Sequence, residues 1–380
     1  MRGDESMVVK DAPITIGFLG FFRYTDHEHN QLTAALSQRF SLKVCLPDET
    51  GHLITVPEIL FVSIFEREGI VPQYRFWPYE PSNPREEPLS LHPRYDGCTK
   101  IFTSDENLRT PWYECDYSMT SDYLDDPRHL RLPIYRNLTL HVLASQAEII
   151  RRKNLLLPNP TLLKDLNQDW RALLAKKTKF CNFVYSNSRP QERIMFFKLL
   201  SKYKKVDSGG EVLNNIGDAL ACHVNSHSLS KLAFLQDYKF TIAFENSTQP
   251  GYVTEKLTEP MVANSLPIYW GCPRVGEEFN KKSFVDATGR KFQDVVDEVV
   301  ELDRDDDGYL EMMREPWFRD NAPNQYCDPD YLCDFFGKIV ADHRSATTTS
   351  SRDDVSTIES AAMVDCRSGY IPRLPCSVKK

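Results

Sequence analysis

The sequence predicts an α/β protein with two Rossmann-like lobes facing a cleft, and three observations carry that prediction. Short apolar runs rich in aromatic and β-branched residues alternate with helical patterns through most of the 380 residues. The alternation halts between Leu155 and Pro160, where Pro158 and Pro160 mark a hinge, and resumes at Phe180. The stretch from Tyr238 to Gly271 holds two such runs joined by a polar connection. It is longer than the roughly 2–6 residues that a purely structural link needs.

Taken in order, residues 1–12 are polar and read as a flexible N-terminus. Ile14 to Phe22 opens a first α/β lobe, followed by a helix near His29 to Phe40 and a strand at Leu42 to Leu46. Leu60 to Phe65, Tyr74 to Trp77, Thr99 to Thr103 and Asp116 to Met119 add strands, with a proline-rich loop from Tyr79 to Pro93. Polar residues then run to Pro133, Leu140 to Arg152 reads as helix, and the first lobe spans 13–160. The second lobe spans 161–343. It starts with a helical stretch from Leu163 to Lys177 and a strand from Phe180 to Tyr185. Further helices are expected at Arg193 to Tyr203, Leu229 to Leu235, Gln293 to Leu302 and Tyr331 to Val340, and strands at Val206, Tyr238 to Phe244 and Leu266 to Trp270. Residues 344–380 lack a core pattern and read as a disordered or appended tail.

Composition narrows the function classes. A net charge of −8 argues against nucleic acid as a partner, because that role needs a basic footprint, and Lys202 to Lys205 is only a local patch. No apolar run approaches the ~18–20 residues of a transmembrane span, and no secretory signal pattern is visible. The 10 cysteines show neither CxxC nor zinc spacing and read as reduced and partly buried. Cys327 with Cys333 and Cys366 with Cys376 are the pairs that oxidation would join. Asn137-Leu-Thr139 and Asn246-Ser-Thr248 match the glycosylation sequon, the second inside the polar connection.

That connection carries Glu245, Asn246, Tyr252, Glu255 and Lys256. In a doubly wound sheet it lies at the carboxyl ends of the strands, where ligands bind. Thr254 can cap a turn holding Glu255 and Lys256, whereas Pro260 would interrupt a continuous helix and favour a second start at Thr258. A helix start favours an anion, so Lys256 there, with Arg193 opening the helix after Tyr185-Ser186-Asn187, would set two cations near a diphosphate. Either residue alone reads as an ordinary surface or helix cation. Gly-rich phosphate loops of the GxxxxGK[ST] or GxGxxG type are missing, and Gly209-Gly210 is a turn after a strand. Asp328-Pro-Asp330 and Asp303 to Asp307 read as solvated faces, so no metal site is expected. Glu106 ends a first-lobe strand beside Asn107, where a carboxylate can act as general base or simply cap the next turn.

Together these residues resemble the α1,3/α1,4-fucosyltransferases, glycosyltransferase family 10, in the style of its soluble bacterial members. The resemblance covers roughly residues 95–290. It is carried by FENSTQPGYVTEKL and PIYWG, by FVYSNSRPQER with Arg193 in register, by the stretch from Ser104 to Tyr135, and by VDSGG at 206–210. It implies a GT-B fold with the acceptor in the first lobe and GDP-β-L-fucose in the second. It also implies inverting transfer to an α-fucoside, O3 of N-acetylglucosamine in an N-acetyllactosamine-type or N-glycan-core glycan being the expected acceptor. On this basis Glu106 is the general base, Arg193 and Lys256 are the diphosphate cations, and Asn187, Glu245, Asn246, Tyr252 and Glu255 are donor-site residues. No cofactor is obligatory, and a divalent cation would act only as a stimulant.

Two departures stand out. Asp105 replaces the usual glycine before the glutamate, adding an acid beside the base. The anchor of Golgi members is missing from this sequence, so the expectation is a soluble protein, cytoplasmic or peripheral to a membrane, with a Golgi location left open for a eukaryotic source. Two other classes compete with the transferase. A fucosidase-like hydrolase would pair Glu106 with Glu245 or Glu255 across about 5–10 Å. An inactive sugar-nucleotide or glycan-binding module would need neither base nor cations.

Overall fold

The computed structural model describes residues 12–21, 30–63, 89–104, 106–112, 114–136, 164–217, 227–322 and 324–356. The expected strand at 74–77, helix at 140–152 and hinge at 155–160 lie outside these residues. So do Asp105, Asn137, Cys222, Cys366 and Cys376.

The first sheet has six parallel strands: β1 (Ile14–Leu19), β2 (Leu42–Cys45), β3 (Ile59–Val62), β4 (Thr99–Thr103), β5 (Tyr117–Thr120) and β6 (His129–Arg131). Their spatial order is β2-β1-β3-β4-β5-β6. Helix α1 (Gln31–Leu36) is capped by Asn30, whose Oδ1 accepts from the Thr33 amide at 3.0 Å. Strand β6 was read as polar loop, because three residues including His129 and Arg131 give no apolar alternation. Tertiary contacts bury it instead: the His129 ring meets the Ser118 hydroxyl at 2.7 Å and the Asp122 carbonyl at 3.0 Å. Burial, helped by Arg131, pushes the pKa of His129 down to about 4.

The second sheet repeats the same winding: β7 (Lys179–Phe183), β8 (Val206–Ser208), β9 (Tyr238–Phe244), β10 (Leu266–Trp270) and β11 (Val285–Asp286), ordered β11-β10-β9-β7-β8 and all parallel. β9 is buried along its whole length, as its unbroken apolar pattern requires of a strand covered on both faces. The covering helices are α2 (Trp170–Ala175), α3 (Gln191–Leu200), α4 (His227–Leu235), α5 (Glu255–Val262), α6 (Phe292–Arg304) and α7 (Asp306–Arg314). α2 is shorter than the expected Leu163 to Lys177. Asp305, Asp306 and Asp307 are exposed, as a solvated face requires, and within the acidic run only the side chain of Asp303 departs from it. Asp303 is buried and accepts from the Tyr203 hydroxyl at 3.0 Å, with Lys204 at 3.2 Å and Lys239 at 3.4 Å beside it. Asp305 caps α7.

The last helix, α8 (Pro329–Ser356), corrects the expected domain limits. Leu332, Phe336 and Ile339 pack into the core of the first sheet with Ile16, Phe61 and Ile101. Tyr117 donates to Asp342 at 2.8 Å, and the Thr99 hydroxyl lies 2.9 Å from the His343 ring. The stretch 329–343 therefore belongs to the first lobe by packing, and the helix continues through residues read as a disordered tail. Cys327 and Cys333 are free thiols. Among the described residues, no helix is long and apolar enough to cross a membrane.

Candidate active site

The second sheet reverses its winding between neighbours β7 and β9, and the polar residues singled out by sequence follow those two strands. A crevice at such a switch point is where doubly wound sheets bind ligands. After β9 the chain enters the loop 245–254 and then α5.

Glu245 holds this loop in shape. Its carboxylate is fully buried, Oε1 accepting from the Thr254 amide and Oε2 from the Thr254 hydroxyl, both at 2.8 Å, while its own amide donates to the Trp270 carbonyl. Glu245 was expected to face the ligand, but both oxygens are spent inside the protein. Gly271 closes this wall, since a methyl there would lie 2.5 Å from Glu245 Cγ.

The same Thr254 hydroxyl accepts from the Lys256 amide at 3.3 Å and so caps α5. Pro260 does not split the helix, contrary to expectation. It sits in the sixth position of an eight-residue helix, and its missing N–H removes a bond only near the end. No second start forms, and the Thr258 hydroxyl is buried without a partner.

Lys256 occupies the helix start, its ammonium 3.2 Å from Glu255 Oε1 and 3.7 Å from Glu245 Oε2. Burial works against its charge, but Glu255 and Glu245 outweigh it, so Lys256 stays protonated. Burial likewise pushes Glu255 up, yet Lys256 and Lys231 pull its pKa down to about 2. Lys231, on α4, forms a short ion pair with the buried Glu259 of α5. Sequence gave no hint of this partner, because only the packing of α4 on α5 brings it to the site.

Arg193 is 1% exposed. One terminal nitrogen, Nη2, donates to the Glu245 carbonyl at 2.7 Å, Asn246 Oδ1 at 2.8 Å and the Phe244 carbonyl at 3.3 Å. Its guanidinium rests 4.1 Å from the centroid of the Tyr185 ring. Arg193 thus fastens the loop start to α3, which leaves the buried Nε without a partner. Asn246 makes this contact through its carbonyl oxygen, so its sequon lies on the loop that Arg193 holds. Asn187 Oδ1 accepts from the Arg189 amide at 3.0 Å, and its Nδ2 is a second buried donor without a partner. Gly210 packs edge-on against the same region: a methyl there would lie 2.4 Å from the Tyr185 backbone nitrogen and oxygen. That contact explains Gly210, the second glycine of the pair after β8.

Tyr252 is 1% exposed, and its phenol titrates well above the ordinary range. Burial is the main cause, opposed by Lys256, with Glu245 and then Glu106 adding to the rise. Glu106 of the first lobe therefore lies within electrostatic reach of the second-lobe loop. Its backbone amide donates to the Ser104 hydroxyl at 3.0 Å. Its neighbour Asn107 donates to the Ser247 hydroxyl at 2.6 Å, closing the cleft between the two loops. Asn246, Tyr252, Glu255, Lys256 and Arg193 gather around this loop with Glu245 behind it and Glu106 within electrostatic reach, whereas the contact of Asn187 is local, to Arg189. Among the described residues, no group of three or more His, Cys, Asp or Glu side chains is arranged to hold a metal.

Comparison with known proteins agrees with this geometry. The pattern described as "Glycosyltransferase family 10 (fucosyltransferase) C-term" matches residues 174–351, and "Alpha-(1,3)-fucosyltransferase FucT N-terminal domain" matches residues 90–138. The chain is 30% identical over 243 residues to alpha-(1,3)-fucosyltransferase FucT of Helicobacter pylori, covering 58% of this chain and 48% of that one. It is 32% identical over 148 residues to GDP-fucose protein O-fucosyltransferase 3 of Xenopus laevis, covering 37% and 31%. It thus spans less than half the length of either relative. A crystal structure of an alpha1,3-fucosyltransferase superposes with a TM-score of 0.62 at 25% identity, covering 89% of this chain and 93% of that one. Another, described with GDP-fucose, gives 0.59 at 23% identity, covering 89% and 93%. The two parallel sheets are the two lobes of a GT-B fold. With family patterns matching both lobes and this shared architecture, the chain belongs to the glycosyltransferase family 10 fucosyltransferases.

Proposed function

We propose that this chain moves L-fucose from GDP-β-L-fucose to a glycan hydroxyl with inversion, giving an α-fucoside, and that the hydroxyl is O3 of N-acetylglucosamine. The observation that carries this reading is the capped start of α5, where protonated Lys256 stands opposite the Glu106 loop across the Asn107–Ser247 contact.

Glu106 takes the proton from the acceptor hydroxyl as its oxygen attacks the anomeric carbon. The bond from that carbon to the phosphate oxygen breaks, and GDP leaves with the bonding pair. Charge then develops on the departing diphosphate, where the Lys256 ammonium and the positive end of α5 stabilise it. Arg193 and Asn187 each keep a buried donor without a protein partner, at Nε and Nδ2, and these supply further hydrogen bonds to the donor. Asn246, Tyr252 and Glu255 complete the donor site. The hydrolase alternative that pairs Glu106 with Glu245 is weakened, because both Glu245 oxygens are committed to Thr254.

The test is incubation with GDP-fucose and a panel of N-acetyllactosamine-type and N-glycan-core acceptors, read by mass and linkage analysis. Addition of one fucose α-linked to O3 of N-acetylglucosamine is the expected result. Release of free fucose from a fucosylated glycan without GDP-fucose would replace transfer with hydrolysis.

A further inference from the structure

Arg131 ends strand β6 of the first lobe and is 5% exposed, yet most of its contacts are to the second lobe. Its Nε and Nη2 donate to a single oxygen of Glu278, at 3.1 and 2.5 Å. Its Nη1 donates to the Gly251 carbonyl at 3.2 Å and also contacts the Ser121 carbonyl of its own lobe. The guanidinium lies 3.9 Å from the centroid of Tyr123, whose hydroxyl donates to the same Glu278 oxygen, and Arg274 approaches that ring to 3.8 Å. The second Glu278 oxygen accepts from the Tyr135 hydroxyl at 2.6 Å, so both oxygens of this buried carboxylate have partners.

The loop held by this cluster is the one that leads into α5. Gly251 has φ +91, and a methyl there would lie 2.1 Å from the Ser121 carbonyl oxygen and 2.7 Å from Arg131 Nη1. Two residues on, the Val253 carbonyl accepts from the Tyr135 amide at 3.2 Å. The loop is therefore pinned to the opposite lobe at Ser247 and Gly251, and Arg131 provides the contact nearer α5, while Tyr135, which packs into the core of the second lobe, holds Val253. A carbonyl that must meet one guanidinium proton fixes the loop in height and direction, as a planar five-donor fork does better than an ammonium.

We propose that Arg131 is a positioning residue for the donor loop: an acceptor-lobe side chain that sets the place of residues 247–254, and through them of Thr254 and Lys256. Its loss is felt on the donor nucleotide rather than on the acceptor. Only the identity of that nucleotide rests on the fucosyl-transfer reading.

The experiment compares wild type with the Arg131→Met/Glu278→Gln double variant, which removes both buried charges together and leaves neither ion uncompensated. Hydrogen exchange without ligand is expected to quicken about tenfold or more at the amides of residues 247–254, with β9 and β10 still protected. GDP affinity is expected to fall about tenfold, with acceptor KM within about twofold, a split that general loss of stability would not produce. Wild-type exchange in the loop, or unchanged GDP affinity, would overturn the proposal. Should the double variant not fold, Gly251→Ala presses on the same contacts from the loop side and carries the same expectations and the same overturning results. If the loop exchanges faster in the variant but wild type binds no GDP, positioning of the loop stands and the fucosyl-transfer reading falls.

Discussion

The side-chain amide of Asn107 donates to the hydroxyl of Ser247 at 2.6 Å, tying the loop of the proposed base to the loop of the proposed donor site. Asn107 Oδ1 in turn accepts a short hydrogen bond from Arg109, which fixes the direction of the amide. Asn107→Ala is expected to lower turnover about 5–10-fold, the worth of one hydrogen bond of ~1–1.5 kcal/mol, with GDP affinity within twofold. Single-turnover kinetics beside a GDP titration checks this, and wild-type turnover would dismiss the tie.

Removing the base should leave binding intact. Glu106→Gln preserves shape but cannot accept the acceptor proton, so turnover is expected to fall by about 10²–10⁴ while the donor still binds. Calorimetric titration with GDP and an initial-rate assay on the same preparation separate the two effects. Unchanged turnover would take Glu106 out of the reaction.

Lys256 contributes charge at the helix start. Lys256→Ala is expected to weaken GDP binding about 10–100-fold, the loss of one charge-assisted contact of ~1.5–3 kcal/mol. The Glu255 carboxyl should rise from about 2 toward its ordinary range, because Lys256 is the largest influence holding it down. Titration at several pH values reads both, and wild-type affinity would remove Lys256 from the site.

Two glycines stand where side chains cannot fit. Gly210→Ala sets a methyl against the backbone of Tyr185, which cannot rotate away, and should destabilise the fold by about 1–3 kcal/mol. Gly271→Ala meets the Glu245 side chain and the Tyr269 hydroxyl, and should weaken GDP binding as well. Thermal melts and GDP titrations check the pair. A Gly210→Ala protein as stable as wild type would contradict the packing.

Lys164 offers a test by pH. It is 4% exposed, and its ammonium donates to the Met313 and Glu315 carbonyls, each at 2.6 Å, at the C-terminal end of α7. Burial pushes its pKa down to about 7, against a smaller upward pull from Glu315. Between about pH 7 and the ordinary lysine value near 10.4 the unfolded chain then binds more protons, so this residue makes stability rise with pH. Below pH 7 both states are protonated and the dependence vanishes. Melting temperatures from pH 6 to 9 should show a rise that flattens in Lys164→Met, and identical slopes would refute the assignment.

How much was legible depended on whether a residue acts through its own chain segment. β9 and β10 appear as predicted, since an unbroken or short apolar run buried on both faces leaves little freedom. Thr254 as cap of α5 was readable for the same local reason. Strand β6 was not, because its polar ends are buried only through the contacts of their side chains, with Ser118 and Asp122 for His129 and the distant Glu278 for Arg131. Glu245 was legible as important but not in its role: spacing cannot tell a carboxylate that faces a ligand from one that clasps Thr254. The last helix misled the domain limits, since its apolar stripe does not reveal which of two sheets it covers.

By itself the sequence determined the two doubly wound lobes, the polar loop after β9 and the residue types gathered there, all products of local pattern and strand burial. Tertiary structure alone decided that this loop is held by the opposite lobe through Asn107 and Arg131, and that Lys231 and Glu259 stand behind Glu255. The physical reason is distance along the chain. A hydrogen bond or buried ion pair between residues more than a hundred positions apart, such as Arg131 and Glu278, exists only once the two lobes have met.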